Sequence, residues 1–259
     1  MDSKKFLIYI VAIDSDQSQF KNSDYAQYSI ASWKKWCEKN GVDLVVRTEP
    51  DERFRFPIWA KESVYEYGKG YDMIGVVDSD TMIDLNAPNP FLELNPESFY
   101  GVNDLCDLNW LFSSIEARQK FFPDHAMDIF KYLNAGVLFF GKKHLEIFER
   151  FLNFVLENQD EINEIKGGGK EQTLLNFFLQ TNNVDVQLLT PRWNLLSIHR
   201  KNMFTNNWQL HPTQHVDVND PNTFPHFLRH ANIWHFTGFP VEERARLMSV
   251  VWDIQKAIS

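Results

Sequence analysis

The chain has 259 residues, of which 44% are hydrophobic, and its 26 Lys and Arg against 35 Asp and Glu give a net charge of −9. This length and composition describe a folded protein with a sizeable core and exclude extensive disorder. Because no run of basic residues offsets the acidic excess, the sequence argues against a nucleic-acid-binding protein.

The first hundred residues predict alternating strands and helices. Apolar runs indicate the buried strands, and apolar residues at three- and four-residue steps indicate the helices, which Ser23 and Pro57 are suited to open. The predicted strands cover 6–13, 42–46 and 73–77, and the predicted helices cover 23–41 and 57–67. Such alternation favours parallel strands with ligands bound beyond their carboxyl ends.

The second half is less regular. The predicted strands cover 134–140 and 184–188, and the predicted helices cover 144–158, 171–180 and 242–258. The segment 193–237 is rich in Asn, His, Pro and Trp and shows little periodicity, so we expect functional loops there. The glycine run 167–169 lacks the phosphate-loop pattern and is interpreted as a mobile connection.

Two Asp-x-Asp triplets follow apolar strands, at Asp14/Asp16 and Asp78/Asp80. The second pair ends the third predicted strand, where alternating side chains place both carboxylates on one side. The pair can therefore share one divalent cation. It is equally compatible with a turn in which the two acids only cap backbone groups.

Several short segments occur in an order typical of one enzyme class. They are Trp59-Ala60-Lys61, Asp78-Ser79-Asp80-Thr81, Asn134-Ala135-Gly136-Val137, Glu171-Gln172, Trp193-Asn194 and His235-Phe236-Thr237-Gly238. The ordered set resembles the GT-A glycosyltransferases, in particular the retaining families around glycogenin, the fungal galactosyl- and mannosyltransferases and the plant xyloglucan xylosyltransferases. The resemblance spans about residues 6–240.

The resemblance implies an α/β protein of the GT-A class, with a Rossmann-like mixed sheet flanked by helices. It implies a single domain over 1–259, with a nucleotide-sugar-binding half at 1–100 and an acceptor-binding half at 101–259. It also implies Mn²⁺ or Mg²⁺ as cofactor, held by Asp78, Asp80 and His235, and a nucleotide-sugar donor, most often a UDP-sugar. Two carboxylates and an imidazole suit such a cation.

Further donor contacts are implied by the same resemblance. The end of the first strand would face the base, Lys61 the phosphates, and the Asn-Ala-Gly segment the donor sugar and acceptor. These donor-binding residues are Val11, Ala12, Asp14, Lys61, Asp78, Ser79, Asn134, Ala135, Gly136 and Gly238. Similar families often carry a lysine shortly after His-x-x-Gly; here Arg244 and Arg246 are the candidate substitutes.

The expected catalytic residues are Glu171, Gln172 and Asp107. Glu171 and Gln172 would lie near the reacting sugar, whereas Asp104 and Asp107 are candidates for acceptor contacts or a general base. Aromatic rings pack on the apolar faces of sugars, so one or two tryptophans are expected in an acceptor platform. The candidates are Trp110, Trp193, Trp208 and Trp234.

These features predict a metal-dependent glycosyltransferase that moves a sugar from a nucleoside diphosphate to a hydroxyl acceptor, with retention implied by the resemblance. The alternatives are a metal-dependent nucleotidyltransferase or phosphate-ester hydrolase, and a non-catalytic nucleotide- or carbohydrate-binding module. The apolar runs are too short to span a bilayer, and Cys37 and Cys106 do not form a disulfide framework. We therefore expect a cytoplasmic protein without a membrane anchor.

Overall fold

A computed structural model describes residues 4–15, 24–105, 107–196 and 231–258. The strands are β1 Phe6–Val11, β2 Asp43–Arg47, β3 Met73–Asp78, β4 Thr81–Ile83, β5 Phe99–Asn103, β6 Leu133–Gly141, β7 Val186–Leu188, β8 Leu195–Leu196 and β9 Ile233–His235. The α-helices are α1 Ala26–Asn40, α2 Val64–Tyr67, α3 Leu108–Arg118, α4 Leu145–Glu157, α5 Gln159–Glu164, α6 Lys170–Thr181 and α7 Val241–Ile258.

Six strands form a mixed sheet in the order β2-β1-β3-β6-β5-β7. β1 pairs in parallel with β2 and β3, as the alternating pattern predicts, whereas β6 runs antiparallel to β3 and β5. Because β6 is reversed, its beginning lies beside the carboxyl end of β3. The residues that start β6 and those that end β3 therefore meet at one edge of the sheet.

A second sheet extends this edge. It has the order β4-β9-β8, with β4 antiparallel and β8 parallel to β9. The chain passes from the large sheet into the small one through the turn between β3 and β4. The small sheet thus carries residues from the last third of the chain to the end of β3.

The predicted elements of the first half are observed with shifted ends. The first helix ends before Gly41 as expected, while Ser23 lies outside the described residues. The span predicted as one helix at 57–67 is mostly a 3₁₀ helix, Pro57–Ser63, followed by the single α-helical turn α2.

The second half differs more from the prediction. The sequence did not predict α3, which follows β5. The segment 193–237 was expected to be loops, yet β8 and β9 lie near its two ends, and residues 197–230 are outside the described part. Within the described residues, no helix combines the length and apolarity that a membrane crossing requires.

The core lies on both faces of the large sheet. One side is filled by aromatic and aliphatic residues from β6 and α4, including Phe140, Phe148 and Phe151, which are at most 1% exposed. Trp33 and Trp36 of α1 are fully buried on the other side. Burying each such side chain contributes about 1.5 to 3 kcal/mol, so the edge that carries the polar residues rests on a rigid base.

Candidate active site

Two acids and an imidazole converge where β3 gives way to β4. The antiparallel register pairs Thr81 with His235, which brings the last residue of β9 beside the turn. The Nε2 atom of His235 lies 3.1 Å from Oδ1 of Asp80 and 3.9 Å from Oδ2 of Asp78. One potential ligand atom from each residue lies within 4.8 Å of the others. These three residues form a candidate metal site.

The turn that presents the acids is fixed by hydrogen bonds. The Thr81 hydroxyl donates to the Asp78 carbonyl at 2.7 Å and accepts from the indole Nε1 of Trp33 at 3.1 Å. Trp33 and Thr81 are both fully buried. The position of the acidic pair is therefore set by the core beneath it.

A buried asparagine orients the imidazole. His235 is 3% exposed, and its Nδ1 lies 2.9 Å from Oδ1 of Asn194. The amide nitrogen of Asn194 donates to Oδ1 of Asn134 at 2.8 Å, which leaves its oxygen as the acceptor for His235. The proton then resides on Nδ1, and the lone pair of Nε2 points toward the acids, as a metal ligand requires.

The hydrogen-bonded chain continues away from the imidazole. Asn134 donates to Asp104 at 3.0 Å and to the side-chain oxygen of Gln172 at 3.1 Å, and Gln172 donates to Asp104 at 3.0 Å. Gln172 also accepts from the backbone N–H of Ala135 at 3.1 Å. A continuous polar network thus connects Asp104 to the imidazole of His235. Both ends of the Gln172 amide are engaged in this network.

Gly136 permits this convergence. A Cβ atom at this position would lie 2.9 Å from Oδ2 of Asp78 and would collide with the His235 ring. Any side chain here would therefore displace a candidate metal ligand. The sequence predicted that Gly136 lies close to the donor sugar and acceptor. The close contacts observed at Gly136 are instead with Asp78 and His235, the candidate metal ligands.

Lys61 lies at the centre of an acidic group. It is 6% exposed, and its Nζ lies 2.7 Å from Oδ1 of Asp78 and 3.4 Å from Oε2 of Glu171, and donates to the Ala135 carbonyl at 3.0 Å. Burial alone would lower the pKa of Lys61, but the carboxylates of Asp78 and Glu171 outweigh burial and raise that pKa above its usual value. Lys61 is therefore a charged residue of the site.

Glu171 is the other buried member of this group. It is 4% exposed and belongs to the first turn of α6. Burial raises the pKa of Glu171 to about 7, against the opposing effect of Lys61. Near neutral pH this carboxyl can hold or release a proton, which is a property of acid–base and nucleophilic groups in active sites.

Arg244 contributes a second cation. Its Nη1 lies 3.3 Å from Oδ2 of Asp80, and its guanidinium lies 4.8 Å from the centre of the Tyr25 ring. Burial would raise the pKa of Asp80, but the imidazole of His235, in its protonated form, and the guanidinium of Arg244 outweigh burial and hold that pKa below its usual range. The sequence offered Arg244 and Arg246 as alternatives. Arg246 instead pairs with Glu243 at 2.6 Å on α7.

A cavity of about 270 Å³ opens beside these groups. Its lining includes the predicted site residues Val11, Lys61, Asp78, Ser79, Asp80 and Glu171. Tyr25 and Arg244 complete the polar wall. The sequence analysis did not single out Tyr25, because nothing in its spacing distinguishes it from the core aromatics.

Several other predicted site residues do not line this cavity. The backbone N–H of Ala12 donates to the Arg47 carbonyl at 2.8 Å, Asp14 is exposed, and Gly238 occupies a left-handed turn at φ 77. Asp107 caps α3, because its carboxylate accepts from the backbone N–H of Trp110 at 3.0 Å. The structure thus gives Asp107 a local structural role.

Three of the four tryptophans expected to contact sugar lie among the described residues. Trp234 is 2% exposed in the core beneath α7, and Trp193 packs edge-on against Phe139 with ring centres 6.1 Å apart. Trp110 packs against the glycine turn at 167–169. Trp208 lies outside the described residues. Trp234 thus belongs to the core and Trp193 is half-buried against it, and the expectation that one or two of the four tryptophans contact a sugar stays a prediction.

No protein-family model matches the chain, and no curated protein matches it. Solved structures do. The chain is similar over 95% of its length to 98% of a glycosyltransferase involved in the glycosylation of the major capsid of PBCV-1, with a TM-score of 0.59 and 13% identity. It is similar over 96% of its length to 99% of the galactosyltransferase LgtC, solved with donor and acceptor sugar analogs, with a TM-score of 0.52 and 14% identity.

The chain has the GT-A glycosyltransferase fold. A third match, to the bifunctional glycosyltransferase WbbM, has a TM-score of 0.57 and 16% identity and covers 96% of this chain but 50% of WbbM. The predicted fold class, a mixed sheet flanked by helices, is confirmed. At these identities the similarity establishes the fold alone, because one fold can carry many different activities.

Proposed function

We propose that this protein is a glycosyltransferase that transfers a sugar from a nucleoside-diphosphate sugar to a hydroxyl acceptor, with Mn²⁺ or Mg²⁺ as cofactor. The observation that carries the proposal is the convergence of Asp78, Asp80 and His235 beside a cavity that also contains Lys61 and Glu171. The named matches, among them a galactosyltransferase solved with donor and acceptor sugar analogs, support the same class.

Asp78, Asp80 and His235 would hold the cation. The donor set fits, because two carboxylate oxygens and an imidazole nitrogen whose other nitrogen is already hydrogen-bonded suit a hard divalent ion. When bound, such an ion supplies Lewis-acid stabilisation of a leaving diphosphate. The fit supports a metal-dependent transferase over a module that binds carbohydrate alone.

Lys61 and Arg244 would bind the anionic diphosphate. Both line the cavity, and each lies against one of the paired acids, at 2.7 Å and 3.3 Å. Charge-assisted hydrogen bonds from lysine and arginine are the usual way in which proteins hold phosphate groups. Arg244 would then take the place of the lysine that similar families carry after His-x-x-Gly.

We assign the nucleobase to the end of β1. A second cavity of about 150 Å³ shares Ile13 and Pro57 with the first and extends toward Phe54. The two cavities together offer a polar part for a diphosphate and a more apolar part for a base. UDP is the nucleotide that the resemblance favours. The base and part of the diphosphate site would then lie in 1–100, while His235 and Arg244 would reach the donor from the half at 101–259 to which we assign the acceptor.

Glu171 is the carboxyl that we assign to the reacting sugar. Asp104 is engaged by two amide donors and Asp107 caps a helix, whereas Glu171 lines the cavity. In its ionised form it would face the positive charge that develops at the anomeric carbon as the bond to the diphosphate breaks. A carboxylate in this role is compatible with retention. Gln172 would act by holding Ala135 and Asn134 in place.

A product assay tests the proposal. The protein is incubated with Mn²⁺ and a panel of nucleotide sugars, with and without simple sugar acceptors, and the products are identified by mass spectrometry. We expect release of the nucleoside diphosphate and a new glycoside, both abolished by chelation and by Asp80→Asn. Cleavage to a nucleoside monophosphate, or transfer of a nucleotidyl group to a phosphate, would refute glycosyl transfer.

A further inference from the structure

The glycine turn at 167–169 is fixed to one face of α3. Trp110, Ser114 and Arg118 are spaced four residues apart, so their side chains lie on the same side of the helix. All three contact the turn or the helix that follows it. The sequence indicated a mobile connection here, and the contacts give it a defined place.

Arg118 and Ser114 bind the backbone of the turn. Arg118 donates from Nη2 to the Gly168 carbonyl at 3.0 Å and from Nη1 to the Ser114 carbonyl at 2.9 Å. Ser114 donates to the same Gly168 carbonyl at 3.3 Å, and its hydroxyl lies 2.6 Å from that of Thr173. One helix face thus contacts both the turn and the first residues of α6.

The charge of Arg118 is dedicated to this contact. The side chain is 1% exposed and has no carboxylate partner in the part of the chain that the structure describes. Burial lowers the pKa of its guanidinium. A buried charge is costly unless its donors are satisfied. Here backbone carbonyls and the Ser114 hydroxyl accept from Nη1 and Nη2, while Nε has no hydrogen-bond partner among the described residues.

Trp110 and Ser114 leave no space for a side chain at Gly168 or Gly169. A Cβ atom at Gly168 would lie 2.7 Å from the indole Nε1, and one at Gly169 would lie 2.7 Å from the Ser114 hydroxyl and 2.8 Å from the indole Cζ2. Gly169 also has a φ of 71°, which residues other than glycine rarely adopt. The ring therefore packs directly on the backbone.

We propose that Trp110, Ser114 and Arg118 form a positioning clamp that places Glu171 and Gln172 for catalysis. The clamp holds the last residues before α6, and Glu171 and Gln172 follow in its first turn. The inference rests on the proposed function, because that function gives Glu171 and Gln172 their part in the reaction. The clamp residues do not themselves touch the reactants. Misplacing a reacting group by about 1 Å costs up to about 100-fold in rate, so a clamp outside the cavity can control turnover.

Two glycine substitutions provide a matched test. Gly167→Ala and Gly169→Ala both place a side chain at a positive φ, of 101° and 71°. An added Cβ at Gly167 meets nothing within 4 Å among the described atoms, whereas at Gly169 it collides with the clamp. The first variant thus controls for backbone strain. We expect Gly169→Ala to lower kcat about 10- to 100-fold while nucleotide–Mn²⁺ affinity stays within about twofold.

Arg118 provides an independent test if the glycine variant folds poorly. Arg118→Met removes the bond to the Gly168 carbonyl together with the buried charge. Arg118→Lys keeps the charge and can restore one of the carbonyl contacts. We expect a loss of kcat in Arg118→Met and partial rescue in Arg118→Lys, because a single ammonium cannot reproduce the fork of the guanidinium. A merely structural role would not give this order at constant nucleotide affinity.

A second readout separates the clamp from the proposed function. The carboxyl of Glu171 is titrated by carbon-13 NMR, with assignment from Glu171→Gln. Releasing α6 should expose Glu171 and shift its titration midpoint from about 7 toward its usual value, in Gly169→Ala but not in Gly167→Ala. This shift is expected even if the wild type transfers no sugar. A wild type without transferase activity would refute the proposed function but not the clamp. Identical behaviour of the two alanine variants, or equal losses of kcat and nucleotide affinity, would overturn the clamp.

Discussion

Replacing Glu62 with glutamine should make the protein progressively more stable than the wild type as the pH rises. Glu62 is fully buried beside Lys61, and neither of its carboxyl oxygens has a hydrogen-bond partner among the described residues. Burial first, and then the charges of Glu171 and Asp78, raise the pKa of Glu62 well above its usual value, although Lys61 opposes them. In the folded protein this carboxyl therefore keeps its proton at a pH at which a glutamate of the unfolded chain has lost it.

The magnitude follows from proton linkage. In the unfolded chain a glutamate loses its proton near pH 4.3, whereas in the folded chain Glu62 keeps it to a much higher pH. The folded state then binds one more proton than the unfolded state, and the free energy of unfolding falls by about 1.4 kcal/mol per pH unit within this window. Glutamine has no proton to lose. Within this window the variant should therefore gain about 1.4 kcal/mol on the wild type for each pH unit.

Urea denaturation at pH 5, 6 and 7 measures this difference. A pH-independent difference in the free energy of unfolding reflects the exchange of a buried carboxyl for a buried amide. The decisive quantity is the change of that difference with pH. Glu164→Gln, on the exposed end of α5, is the matched control and should show no pH-dependent difference. The reasoning is refuted if the Glu62→Gln difference stays flat over these two pH units, or if the variant loses stability relative to the wild type.

Four further outcomes are expected. Asn194→Leu should weaken Mn²⁺ binding about 10- to 100-fold in calorimetry, because it removes the partner that orients His235; unchanged affinity would contradict this role. Arg244→Met should raise KM for the nucleotide sugar about tenfold or more, with a smaller effect on kcat, in steady-state kinetics. Turnover should rise with pH through about 7 as Glu171 ionises, and Glu171→Gln should abolish this limb. Because burial raises its folded pKa, Glu171→Gln should also be roughly 3 kcal/mol more stable at pH 7 by thermal or urea unfolding.

The first three strands were predictable from the sequence for a clear physical reason. A strand covered on both faces, such as β1 or β3, is a continuous apolar run that periodicity detects. The helix α3 escaped detection because its exposed face carries Leu108 and Phe112 and its buried face carries Arg118. The strands β8 and β9 have two and three residues, too few for any alternation to appear.

The residues of the candidate site were more predictable from the sequence than the hydrogen bonds that connect them. The ordered motifs implied that the acidic pair and His235 hold one cation, and the structure brings these three side chains together. The network through Asn194 and Gln172 depends on distances between residues far apart in the chain. Glu62 and Arg118 look like ordinary surface charges in the sequence, since only tertiary packing buries them. No local pattern separates such residues from solvated ones.

The central claim is that Asp78, Asp80 and His235 bind one cation at the donor site. Anomalous diffraction from crystals grown with Mn²⁺ and UDP tests it most directly. We predict a single strong peak within about 2.5 Å of a carboxylate oxygen of each aspartate and of Nε2 of His235, with the diphosphate on its open side. A peak that lies away from these three residues, or an imidazole that does not contact the metal, would contradict the account.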